Sequence, residues 1–270
     1  MESGEIRAKD GTRLSYKIWP ATNTAAALPC IVLVHSLAMD HSFWSPVAEK
    51  IAGAAEILAP DCRGHGASGK PQGPYTVELF AEDLASVMDD VSWDKAIIAG
   101  CSMGGCVALA FAAAYPERVE ALGLIDTTAY YGDDAPMAWE ERAQKALEGG
   151  MDKLIGFQKS RWFGDAFREA NADVVEGAIN VFLANDIQAY AETCRMLGAC
   201  DVRAAMPNFK VPTRVIVGEE DYAAPVAMAE AMRDAIPGAS MLVIEKARHL
   251  TPLEVPELIA KELLELAAKV

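Results

Sequence analysis

Gly100-Cys101-Ser102-Met103-Gly104 stands between a strand-like run, Ala96 to Ala99, and a helix-like run, Cys106 to Tyr115. A G-x-S-x-G pentapeptide at a strand-to-helix junction has a mechanical purpose. The sharp turn lifts the serine hydroxyl clear of the backbone, and small residues let the chain pass close by. The first N–H groups of the following helix also point at the place where an oxyanion would form. The stretch therefore predicts a nucleophilic serine, Ser102, at the carboxyl end of a buried strand.

Residues 96–115 carry no charge and are numerous enough to span a bilayer. Their glycine-rich middle would interrupt a membrane helix, so a buried strand turning into a buried helix explains the run better. Outward from it, strands and helices alternate. Glu5 to Lys9 and Arg13 to Trp19 flank an Asp10-Gly11 turn and predict a hairpin. Cys30 to Val34 has the β-branched composition of a fully buried strand. A helix over Phe43 to Ala54, a strand over Glu56 to Ala59 and an amphipathic helix over Thr76 to Val91 follow. Thr76 is the cap of that last helix, with Glu78 in its first turn. Another strand is expected at Ala121 to Ile125. Such alternation predicts an α/β fold with a mostly parallel sheet covered by helices on both faces.

From Thr128 to Asn208 the alternation stops, and the patterns are helical and rich in Ala, Glu, Met and aromatics. It resumes with a strand at Thr213 to Val217, a helix at Val226 to Ile236, a strand at Met241 to Ile244 and a helix at Val255 to Ala268. The expected organisation is a core of residues 1–127 and 209–270 interrupted by a helical cap, 128–208. No repeat, low-complexity tract or linker breaks this scheme.

The chain has 270 residues, 52% of them hydrophobic, and a formal net charge of -15. Both nucleic acid and anionic membranes require basic surface, so neither is an expected partner, and a small molecule is. Six cysteines lack C-x-x-C spacing and several lie in apolar runs, which predicts buried reduced thiols. The first residues, Met1-Glu2-Ser3-Gly4-Glu5, have neither the basic nor the apolar region of a signal peptide, so a cytoplasmic protein is expected.

A serine hydroxyl needs a base, and the base needs a group to orient it. Of the four histidines, His35, His41, His65 and His249, the last lies just past the final predicted strand, where ligands bind in open α/β sheets. Asp221, in Gly218-Glu219-Glu220-Asp221, gives the chain order Ser, acid, His expected of this architecture. Asp126, ending the preceding strand, competes for the same role, and Glu219 and Glu220 read as solvated turn charges. The oxyanion donors are expected to be the N–H groups of Leu37, in the loop His35-Ser36-Leu37-Ala38, and of Met103. His35 reads as structural. Arg63-Gly64-His65-Gly66 reads as a turn rather than a phosphate cradle, and no residues have metal-ligand spacing. No cofactor is expected.

Taken together, the His35 loop, Asp61 through Ser68, the Ser102 turn, Gly218 through Asp221 with Pro225, and His249 resemble the α/β-hydrolase fold over essentially the whole chain. Ser36-Leu37 with Trp44, Gly73-Pro74-Tyr75-Thr76, Asp126-Thr127-Thr128-Ala129 and Arg161-Trp162-Phe163 are most similar to the 3-oxoadipate enol-lactonase group of lactonases and esterases. The resemblance implies a serine hydrolase acting on a small ester or lactone through an acyl-enzyme. Trp44, Tyr130, Arg161 and Trp162 are the candidate substrate contacts, Arg161 for a carboxylate. Departures from the group are Ser36 and Ala38 where glycines are usual, Arg248 directly before His249, and Tyr130-Tyr131 where a basic residue is usual. Arg248 is expected to lower the pKa of the His249 imidazole. The same triad would also serve C–C bond hydrolysis or acyl transfer. A non-enzymatic receptor is the remaining reading. Ser102, in place of an aspartate, argues against dehalogenase and epoxide-hydrolase chemistry.

Overall fold

A computed structural model describes residues 1–21 and 28–270. The hairpin is β1 (Glu2–Arg7) and β2 (Arg13–Trp19), followed by β3 (Cys30–Val34). The helix expected over 43–54 is shorter and split. A 3-10 turn, His41–Trp44, leads into α1 (Ser45–Ile51), because Pro46 lacks the N–H that would continue a helix through it. Next come β4 (Glu56–Pro60) and α2 (Val77–Asp90), whose cap Thr76 accepts a hydrogen bond from the Leu79 N–H. β5 (Ala96–Cys101), α3 (Met103–Ala114) and β6 (Val119–Ile125) form the centre. Residues 96–115 are thus a strand, a turn and a helix, and no helix among the described residues is long and apolar enough to cross a membrane.

Between β6 and the next strand the chain runs through α4 (Ala135–Gly149), α5 (Ile155–Trp162), α6 (Asp165–Ala170), α7 (Ala172–Leu183) and α8 (Ile187–Ala199). The remaining elements are β7 (Thr213–Gly218), α9 (Val226–Ala235), β8 (Ser240–Ile244), α10 (Thr251–Glu254) and α11 (Pro256–Ala267).

The strands form one sheet in the order β1-β2-β4-β3-β5-β6-β7-β8. β1 and β2 pair antiparallel with their neighbours, and every pairing from β4 to β8 is parallel. All six residues of β5 are buried, which requires cover on both faces. α2 packs on α3, and α1 packs on α11. This arrangement brings the carboxyl ends of β3, β5, β6, β7 and β8 to one rim, where the loops carrying His35, Ser102, Asp126, Asp221 and His249 emerge.

Candidate active site

Ser102 sits between β5 and α3 with φ 55° and ψ −117°, a conformation L-residues rarely adopt. The surrounding glycines make it affordable. A Cβ on Gly100 would lie 2.1 Å from the Gly104 carbonyl oxygen, and one on Gly104 would lie 2.1 Å from the Val34 carbonyl oxygen. The turn is held by the Ser102 N–H donating to the Ile125 carbonyl at 2.9 Å, and by the Thr127 hydroxyl donating to the Ser102 carbonyl at 2.6 Å. Strain in the backbone is thereby converted into a fixed position for the serine Oγ.

Oγ of Ser102 is 2.8 Å from Nε2 of His249, and Nδ1 of His249 is 2.8 Å from Oδ2 of Asp221. The other oxygen of Asp221 accepts from the N–H groups of Ala223 and Ala224, at 2.7 and 2.9 Å. These contacts orient the carboxylate and leave Oδ2 to hold the imidazole. All three side chains are buried. Asp126, the competing acid, is engaged elsewhere. Its oxygens accept from the Gly218 N–H and from the N–H and hydroxyl of Thr251. Glu219 accepts from the Lys246 N–H, and Glu220 pairs with Arg248. Neither reads as merely solvated.

Arg248 does not turn its charge to the imidazole as the sequence reading expects. Its guanidinium donates to the carbonyls of Ser160 and Phe163 and pairs with Asp165 and Glu220. The N–H groups of His249 and Leu250 both donate to the Trp162 carbonyl, at 3.2 and 3.1 Å. The loop bearing His249 is therefore stitched to the helical insertion at the α5–α6 junction.

Leu37 and Met103 are both buried, Met103 directly after the serine and Leu37 in the wall of the cavity that Ser102 adjoins. Among the described residues, neither N–H donates to a protein acceptor. Ala38, where a glycine is usual, takes the left-handed φ of 59° that glycine would supply. Its carbonyl is held by the Asn185 side chain at 2.8 Å. Behind this loop, His35 donates from Nδ1 to the Ser36 carbonyl and accepts the Cys62 N–H on Nε2, so it is structural as expected. Burial lowers the His35 pKa and brings that of His65 down to about 3. His41 and Asp61 pair at 2.8 Å.

A cavity of about 40 Å³ adjoins Ser102 and His249. Its walls include Leu37 and Ser36 from the core and Trp139, Arg142, Arg161 and Trp162 from the insertion. Two of the four expected substrate contacts, Arg161 and Trp162, are therefore at the cavity. Trp44 is not. It is fully buried and packs edge-on against Phe43, with ring centroids 5.1 Å apart, because it lies on the inner side of the turn into α1. Tyr130 is also absent. Its ring stacks under Arg203, 3.5 Å away, and its hydroxyl bonds Asp133. The neighbouring Tyr131 takes the place, since successive side chains of an extended segment point oppositely. Burial raises its phenol well above the usual range, so it stays protonated and can donate.

Arg142 is the residue sequence reasoning missed. Its Nε donates to the Tyr190 hydroxyl at 2.7 Å, and its guanidinium lies over the rings of Trp139 and Tyr190. Arg161 donates to the Tyr222 carbonyl at 2.8 Å. Neither arginine pairs with a carboxylate among the described residues. Burial, and then the charge of Arg142, lower the pKa of Arg161. Two like charges in one partly desolvated cavity favour an anion between them. The Trp139-x-x-Arg142 spacing on one helical face was the only signal available in the sequence.

The sheet order, the strained serine and the hydrogen-bonded histidine define an α/β hydrolase fold. A sequence profile of the alpha/beta hydrolase family matches residues 31–262, and the chain belongs to that family. It is a hydrolase. Its relatives include 3-oxoadipate enol-lactonase 2 of Acinetobacter baylyi, 29% identical over 88% of each chain. Among solved structures it is similar to the enol-lactonase from Burkholderia xenovorans LB400, at 33% identity and a TM-score of 0.92 over 98% of this chain and 100% of that one. A thermophilic esterase from Thermogutta terrifontis, solved with malate bound, is 26% identical with a TM-score of 0.91 over 100% of this chain and 99% of that one.

Proposed function

We propose that this hydrolase cleaves a small carboxylic ester or lactone carrying a free carboxylate, through an acyl-enzyme on Ser102. The observation that carries the reading is the cavity in which Ser102 faces two arginines that pair with no carboxylate among the described residues. The relatives' names agree with it. An enol-lactone of 3-oxoadipate keeps one acid group free, and malate is a dicarboxylate.

In this reading His249 Nε2 takes the proton of Ser102 as Oγ attacks the carbonyl carbon. Asp221 holds the Nδ1–H tautomer and stabilises the imidazolium. The oxyanion is met by the N–H groups of Leu37 and Met103, which have no competing acceptor among the described residues. Collapse expels the alkoxide, which takes the proton from Nε2. For a lactone the expelled oxygen stays tethered to the acyl group. Water, deprotonated by His249, then attacks the ester carbonyl and Ser102 is regenerated. The reaction needs no cofactor. Arg142 and Arg161 anchor the carboxylate, with Trp139 and Trp162 forming apolar walls. Residues 128–208 act as a cap over this cavity, and 1–127 with 209–270 as the catalytic core. The six unpaired cysteines suit a reducing compartment, so we place the protein in the cytoplasm.

The test is a fluorophosphonate probe on the protein and on Ser102→Ala, with adduct mapping, beside turnover of p-nitrophenyl acetate and of small lactones with and without a carboxylate. Labelling at Ser102, loss of turnover in the variant and preference for anionic lactones are expected. Labelling elsewhere, or turnover surviving in Ser102→Ala, would overturn the nucleophile. A preference for neutral substrates would overturn the anchor.

A further inference from the structure

Asp126 is a fully buried carboxylate that the proposed reaction does not use. It follows β6 with φ 47°, a conformation in which aspartate is enriched among residues other than glycine. Its own N–H donates to the Ile216 carbonyl at 2.8 Å, which sets it between β6 and β7. Oδ1 accepts from the Gly218 N–H at 3.1 Å. Oδ2 accepts from the Thr251 N–H at 2.9 Å and from the Thr251 hydroxyl at 2.7 Å. The Cys101 thiol approaches the same oxygen and the His249 carbonyl, each at 3.8 Å.

These partners are informative. Gly218 ends β7, and its carbonyl accepts the Asp221 N–H at 3.1 Å. Thr251 lies two residues past His249 and opens α10. One carboxylate thus grips both loops that deliver the acid and the base. Every contact to it is a donated one, so the group is an acceptor throughout and an amide could not satisfy the same set. Among the described residues it pairs with no arginine or lysine, so these hydrogen bonds alone offset the cost of burying it. The titratable groups facing it are Cys101 from β5 and Asp221 from the β7 loop. Burial, and then the charge of Asp221, hold its carboxyl well above the usual carboxylate range against the pull of the Thr251 and Gly218 donors.

We infer that Asp126 is the positioning residue of the acid–base pair: through its hydrogen bonds it ties the Asp221 loop to the His249 loop. The inference rests on the proposed roles of Ser102, Asp221 and His249. Asp126 acts through His249 and Asp221 and touches no substrate. Its hydrogen bonds hold the imidazole in line between Asp221 and Ser102.

Two variants of the full chain test this, each checked for folding by circular dichroism and for site assembly by fluorophosphonate labelling. Asp126→Asn is expected to lower kcat about tenfold or more with KM changed by less than about twofold. Thr251→Val removes the hydroxyl donor and keeps the N–H, so it should lower kcat less, again with KM nearly unchanged. A folded Asp126→Asn with the kcat of the parent overturns the inference. So does a kcat lowered together with a KM raised by about tenfold or more, which is the mark of a generally loosened site. If Asp126→Asn does not fold, Thr251→Val decides: a lower kcat at constant KM supports the clamp, and an unchanged kcat overturns it. Turnover surviving in Ser102→Ala would instead defeat the reading on which the inference stands.

Discussion

Nε2 of His249 lies 2.8 Å from Oγ of Ser102 although 147 residues separate them in the chain. Nothing local to either residue produces that distance. It arises because the parallel sheet brings the ends of β5 and β8 to the same rim, and because Trp162 and Asp126 hold the loop around His249.

If the serine and the histidine act as one unit, their losses do not add. Ser102→Ala and His249→Ala should each lower kcat by about 10³-fold or more, and the double variant by about as much as either one. Steady-state turnover of a p-nitrophenyl ester measures all three. Additive losses would mean that the two act in separate steps.

Removal of a cavity cation should affect anionic substrates alone. Arg142→Ala and Arg161→Ala are each expected to raise KM for a carboxylate-bearing ester by about 10- to 100-fold, in line with 1.5–3 kcal/mol for a charge-assisted hydrogen bond. The KM for p-nitrophenyl acetate should hardly move. Equal effects on charged and neutral substrates would point to a disturbed cap rather than a lost anchor.

Acid should destabilise the fold before the carboxylates titrate. His35 and His65 are buried neutral, with pKa values pushed down by burial, that of His65 to about 3. Below the ordinary histidine value the unfolded chain binds protons that the folded one does not. Their contribution is complete above that value, near 6.5, and is lost as pH falls from there toward the folded values, by about 1.4 kcal/mol per pH unit for each histidine. His41, whose pKa is raised against burial by Asp61, works in the opposite sense and in a higher window: its contribution is lost as pH rises above about 6.5 and is constant below it. Urea midpoints at pH 7.5 and 5 test the sum, and His65→Gln should flatten the slope.

The serine turn should be intolerant of a single methyl group. In Gly104→Ala the new Cβ would meet the Val34 and His35 carbonyls, both backbone atoms that cannot swing away. A loss of about 2 kcal/mol or more in stability is expected, together with loss of labelling at Ser102. Gly156→Ala, on a helix with nothing within 4 Å of the added Cβ, is the control.

Much of this molecule is written in local pattern. Cys30–Val34 is a strand with the bounds its β-branched run predicts, and Thr76 caps α2, because backbone geometry and capping depend on near neighbours. The order of Ser102, Asp221 and His249 is equally legible, since each follows a strand and parallel strands share one carboxyl rim. The sequence favoured Asp221 over Asp126, but both follow neighbouring strands, and the packed loops decide that it is Asp221 that reaches the imidazole. The cavity wall was least legible. Whether Tyr130 or Tyr131 faces inward is a one-residue step that reverses direction, and whether Arg142 or Trp44 lines the pocket depends on how whole helices are rotated against the sheet. Those rotations are set by contacts between residues far apart in sequence, which is why the chain announces a nucleophile and its partners but leaves the walls around them to the folded structure.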